Sequence, residues 1–185
     1  MKNKFDTATF AGGCFWCTEA IYKRLKGVES VTPGYTGGRL ENPSYDTVCQ
    51  GNTDHAEAIQ IEFNPLIISF EKLLDIFWHT HNPTTLNQQG NDIGTQYRSE
   101  IFYHNGSQKD IAEKSKKELE KTRIYKDPIV TKISQLTKFY PAESYHINYY
   151  DKNKSAPYCN FIIEPKIQKL LKEYSQDVKD EYKDA

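Results

Sequence analysis

The stretch that most limits what this chain can become lies near its start: Ala11-Gly12-Gly13-Cys14-Phe15-Trp16-Cys17-Thr18-Glu19. Before it, Thr7-Ala8-Thr9-Phe10 has the β-branched and aromatic make-up of a short strand, and two glycines break the ladder. After it, Thr18 to Leu25 reads as a helix with Ile21, Tyr22 and Leu25 on one face and Gly27 as its stop. Cys14 therefore falls at a strand-to-helix turn, where free amides and the positive end of the helix dipole favour an anion. For a cysteine that anion is the thiolate. A free thiol with a pKa of ~8.5 is only about 3% ionised at pH 7, and a pKa of ~7 makes it half ionised. Cys17 completes a Cys-x-x-Cys pair, which in a reducing compartment is more often redox-active or metal-binding than structural.

The 185 residues suit one domain with a sizeable core, read here as a catalytic domain over 1–175 and a polar tail over 176–185 that frays. A net charge of −1 exerts no strong pull on nucleic acid or membrane, so neither is an expected partner. No apolar run reaches the ~18 residues of a membrane span, and no signal-peptide core follows Met1. The reading is a cytoplasmic monomer without a cofactor. Four cysteines (Cys14, Cys17, Cys49, Cys159) are too few for a disulfide scaffold at this size, and Cys49 is read as a buried structural thiol. Thirteen tyrosines stand out, several in polar, glycine-rich company where their hydroxyls can face a site.

Along the chain, Val28 to Gly38 begins as a strand and ends in a loop carrying Tyr35, and a short helical turn sits within Glu41 to Gly51. In Ala56 to Phe63, Ile59, Ile61 and Phe63 alternate with Gln60 and Glu62, a strand with one buried face. Glu57 falls on that buried face, an expensive place for a carboxylate unless it is paired or protonated. Ser69 caps a helix with Phe70, Leu73, Leu74, Phe77 and Trp78 at core spacing, stopped before Pro83. A long polar loop follows to Gly94, longer than idle loops usually are. Strands are expected at Tyr97–His104 and Ile129–Ile133, with a charged surface helix between them that starts on Ser107 and Asp110. Pro141 to Tyr150 reads as an aromatic helix start, Tyr158 to Ile163 as extended, and Pro165 to Tyr174 as a last amphipathic helix. Mixed strands and helices without a strict βαβ rhythm indicate an α+β single domain. The expectation is a mixed β-sheet flanked by helices, a two-layer α/β sandwich with a ferredoxin-like core.

Five blocks then carry a family likeness: the Gly12–Cys17 stretch, Gly34–Gly38, Tyr45–Glu57, Gly94–Ser99 and Phe139–His146. In their order and over roughly residues 6 to 165, the chain resembles the A-type peptide methionine sulfoxide reductases. The resemblance implies reduction of the S epimer of methionine sulfoxide, free or in proteins, with thioredoxin as electron donor. Two positions depart from it: Cys17 and Asp54 stand where many members have glycine.

A sulfoxide needs a thiolate to attack its sulfur, an acid and donors for its oxygen, and an apolar hollow for the S-methyl group. Turn position and resemblance both give Cys14 the attack. Burial makes Glu57 the acid, because a carboxyl kept protonated can donate. The resemblance adds the Tyr45 and Tyr97 hydroxyls at the oxygen, Asp92 as a site carboxylate, and Phe15, Trp16 and Tyr149 at the methyl group. Cys14 leaves the reaction as a sulfenic acid, and a second thiol condenses with it. Cys159 is the first choice for that role and Cys17 the rival. His79 and His81 read as polar caps, His55 and His146 as supports, with no metal. Two other readings compete: a zinc module of Cys14, Cys17, Cys159 and a histidine, and a thioredoxin-like disulfide oxidoreductase that leaves Glu57 without a job.

Overall fold

The computed structural model describes residues 5–183. Strands β1 (Asp6–Gly12), β2 (Val28–Thr36), β3 (Ala56–Phe63) and β6 (Ser99–Tyr103) form one antiparallel sheet in the order β6-β1-β3-β2. Helix α1 (Phe15–Tyr22) joins β1 to β2, and α3 (Phe70–Thr80) joins β3 to β6. This is the expected ferredoxin-like core, two split βαβ units interleaved. It is widened at both edges: β7 (Lys132–Gln135) runs parallel to β6, and β8 (Phe139–Pro141) runs antiparallel to β2. Two residues each of β4 (Gln88–Gln89) and β5 (Asp92–Ile93) make a hairpin inside the long polar loop. Helices α2 (Tyr45–Cys49), α4 (Gly106–Thr122), α5 (Tyr149–Lys152) and α6 (Glu164–Tyr174) complete the elements used below.

The core forms where the apolar faces of α1 and α3 meet the sheet. Phe10 of β1 lies within 6 Å of the rings of Tyr22, Phe70 and Phe77, at 5.8, 5.9 and 5.2 Å between centroids. Ser69 caps α3 as expected, its hydroxyl accepting the amide of Lys72. The cap of α4 is Asn105 rather than Ser107: its side chain accepts the amide of Gln108, and the helix begins two residues earlier than the charge pattern suggests.

Three expectations fail in the C-terminal third. Pro141 to Tyr150 is not one helix start: β8 comes first, then single turns at Ser144–His146 and in α5. Tyr158 to Ile163 is not extended, since Cys159–Ile163 is a π-turn that runs straight into α6. The described part of the segment after Ser175, up to residue 183, is tied to the domain rather than frayed, and residues 184–185 lie outside the described residues. Val178 is fully buried and bridges to Leu25, with Asp177 accepting the amide of Lys26 and Arg24 that of Lys179. Among the described residues, no helix is long and apolar enough to cross a membrane.

Candidate active site

The site is built where α1 leaves the sheet. Gly13 turns the chain with φ +90°, and a Cβ there would stand 2.6 Å from the Gln89 side chain, so only glycine lets the β4–β5 hairpin close over this turn. Cys14 occupies the N-cap position of α1 and keeps 7% of its surface. Cys17 and Glu57 are buried at 1% each. Glu57 comes from β3, opposite Tyr35 of β2, and its Oε2 accepts the first helical amide, that of Phe15, at 3.0 Å. The anion-favouring end of α1 is thus occupied by a carboxyl from another strand.

This changes the electrostatics expected of Cys14. Burial raises its thiol well above the ordinary range, and the neighbouring Cys17 and Glu57 raise it further. Cys17 is instead lowered, foremost by the hydrogen bond it receives from Cys14, and then by Lys166 and the hydroxyl of Tyr158. The two thiols act as one acid: the first proton leaves readily because the remaining S–H stabilises the thiolate, and the second leaves with difficulty. Burial pushes Glu57 up to about 8, against the Phe15 amide that favours its charged form, so it is largely protonated at neutral pH.

The expected partners gather here. Tyr45 opens α2, and Glu143 holds it by accepting its amide at 3.1 Å. Tyr97 closes the turn Thr95–Tyr97. Burial, then the charge of Glu57, raises the phenols of both tyrosines, so each hydroxyl stays a donor. Asp92, on the hairpin, accepts the Tyr158 hydroxyl at 2.7 Å. Trp16 and Tyr149 stack with centroids 3.7 Å apart and planes 6° from parallel, both half-buried. Trp16 Nε1 donates to His146 Nδ1 at 3.0 Å, so His146 supports the wall. Phe15 differs from its partners. It has no exposed surface and packs on His146 and Tyr35, behind the site rather than in it.

Cys159 is buried in the same apolar cluster as Cys14 and Cys17, and it is the charge on Cys17 that raises its thiol after burial. Cys49 is exposed, not buried, at the end of α2 beside Tyr45. His55 accepts the amide of Gly38 and binds the carbonyl of Leu40, while His79 and His81 bind carbonyls one turn back in α3. Asp54 stands with φ +60°, a conformation that suits glycine, and its carboxylate faces solvent against Arg39 at 3.3 Å, so it adds no charge to the thiols. Among the described residues, no three His, Cys, Asp or Glu side chains are placed to hold a metal ion, which leaves the zinc module without a ligand set. One contributor escaped the sequence reading: Tyr158, whose only signal was its place beside Cys159.

The comparisons agree with one another. The family model for peptide methionine sulfoxide reductase matches residues 6–179. The chain is 54% identical over 174 residues to peptide methionine sulfoxide reductase MsrA of Saccharolobus solfataricus, covering 94% of this chain and 97% of that one. It is 51% identical over 174 residues to the MsrA of Acinetobacter baumannii strain SDF, covering 94% and 98%. Reduced Mxr1 of Saccharomyces cerevisiae superimposes with a TM-score of 0.80 at 38% identity, over 86% of this chain and 91% of that one. A second Mxr1 structure, in complex with Trx2, matches with a TM-score of 0.57 at 26% identity over 80% and 87%. The chain belongs to the peptide methionine sulfoxide reductase family.

Proposed function

We propose that this chain reduces the S epimer of methionine sulfoxide, in proteins or free, at Cys14. The observation that carries the reading is Glu57: a buried carboxyl, protonated near neutrality, fixed by the amide of the residue next to Cys14. Because Oε2 accepts that amide, the acid proton belongs on Oε1, free to be donated. The Cys14 sulfur attacks the sulfoxide sulfur while Glu57, with Tyr45 and Tyr97, supplies protons and hydrogen bonds to the oxygen. Methionine leaves, and the oxygen stays on Cys14 as a sulfenic acid. Trp16 and Tyr149 offer the S-methyl group a flat apolar wall, and Asp92 orients the substrate through its hydrogen bonds.

A thiol then condenses with the sulfenic acid, releasing water and forming a disulfide. We favour Cys17 for this step, since it lies one helical turn from Cys14, its amide donating to the Cys14 carbonyl at 3.1 Å, with Cys159, buried in the same cluster, taking the disulfide on from Cys17. That order reverses the preference the sequence suggested. A thioredoxin-type dithiol returns the enzyme to its reduced state, in keeping with the capture of Mxr1 with Trx2. The cytoplasm, which keeps such reductants reduced, is the compartment this cycle suits.

A chiral assay with a dithiol donor tests the activity: S sulfoxide is reduced and R is not. Cys14→Ser forms no methionine. Cys159→Ser forms about one methionine per chain without reductant and stalls as a Cys14–Cys17 disulfide that thioredoxin recycles poorly. A stalled Cys17→Ser enzyme holding a Cys14–Cys159 disulfide would return the first condensation to Cys159.

A further inference from the structure

Besides those of Tyr45 and Tyr97, a further tyrosine hydroxyl stands beside the thiols. Tyr158 Oη donates to Asp92 Oδ2 at 2.7 Å and lies 3.9 Å from Cys17 Sγ. Its ring meets Trp16 edge-on at 5.9 Å, which positions the phenol oxygen while leaving its proton free to turn. Trp16 in turn is clamped between Tyr149 and the His146 hydrogen bond, so the whole wall holds the phenol in place.

We propose that Tyr158 is a further catalytic residue, whose hydroxyl hydrogen-bonds Asp92 while both thiols are neutral and turns to the sulfur of the Cys14–Cys17 pair once a thiolate forms. The inference rests on the reading of that pair as the reacting centre. A phenol carries one proton and can serve one acceptor fully at a time. With neutral thiols the carboxylate is the stronger acceptor. A thiolate within reach competes for that proton through a charge-assisted bond in a site that water barely enters.

The charge inventory shows why such a donor is needed. Glu57 of β3 and Asp92 of β5 both oppose negative charge on the pair. Besides the thiols' own mutual interaction, Lys166 of α6 and the Tyr158 hydroxyl favour it. Cys159, on the π-turn behind Cys17, brings no positive charge. Removing the Tyr158 hydroxyl takes away a donor that offsets burial and the charge of Asp92. The arrangement also places the donor on the segment that carries Cys159, so any movement of Cys159 toward Cys17 shifts the hydroxyl as well.

The test is a thiolate titration by ultraviolet absorbance without sulfoxide present, in a Cys49→Ser, Cys159→Ala background where Cys14 and Cys17 are the remaining thiols. Tyr158→Phe keeps the ring and its packing and removes only the hydroxyl. The expected result is a first ionisation moved up by about one pH unit, the size of a hydrogen bond to a charged group. Asp92→Asn removes the competing acceptor and a negative charge, and its midpoint moves down. An unmoved midpoint in Tyr158→Phe overturns the proposal, as does an upward move in Asp92→Asn, which would make Tyr158 a brace that needs Asp92. Because no substrate is used, loss of sulfoxide reduction in either variant tests the activity and not this inference.

Discussion

Glu57 sits where a carboxylate is costly, and its energetic signature is separable from its chemistry. Its pKa is raised to about 8 mainly by burial, so between the unfolded value of about 4.5 and about 8 the folded chain binds the extra proton. Stability therefore falls as pH rises through that window, and Glu57→Gln removes the fall. Urea midpoints taken at pH 5 and pH 8 check this: going from pH 5 to pH 8, the midpoint of the parent changes in the destabilising direction relative to that of the variant. His81 works on the acid side. Burial depresses it to about 3, so stability drops as pH falls below the ordinary histidine range of about 6.5. At this scale the sequence was half legible. Alternation on β3 places Glu57 inside, but the capture of the Phe15 amide depends on a partner 42 residues from it, which no local pattern records.

Helix ends and turns were read where their chemistry is local. Ser69 satisfies an amide three residues on, and Ser69→Ala is expected to cost about 1 kcal/mol in denaturant unfolding. Gly13 is the more telling position. Gly13→Ala must tolerate both the left-handed backbone and a Cβ 2.6 Å from Gln89, so the β4–β5 hairpin shifts and carries Asp92 with it. The expected outcome is a loss of roughly 1–3 kcal/mol together with a larger fall in activity than that stability loss explains. Thermal melting and a rate assay on the same preparation separate the two. The segment 141–163 departs from its local sequence pattern because its turns are set by contacts rather than by propensity. Tyr149 stacks on Trp16, Glu19 accepts the amide of Asn148, and a π-turn looks like nothing distinctive in sequence.

Across the molecule, β1, α1, β2, β3, α3 and β6 were all foreseen from apolar period and punctuation, and the ferredoxin-like order follows from them. What could not be read was how the last third closes on α1. Arg24, almost wholly buried, pairs with Asp151 at 2.8 Å between the rings of Tyr150 and Tyr182, and Val178 fills the gap beside Leu25. Val178→Ala is expected to cost about 1–3 kcal/mol, seen as a lower melting temperature, whereas a fraying tail would show no change. The central claim is that a buried, protonated Glu57 beside Cys14 delivers the proton to the sulfoxide oxygen. Single-turnover methionine release from the S sulfoxide, followed against pH without reductant, tests it most directly. The rate should fall as Glu57 ionises above about pH 8, and Glu57→Gln should be slower by roughly 10²-fold or more with no such fall. A wild-type rate that keeps rising past that pH, or a Glu57→Gln enzyme at full rate, would contradict it.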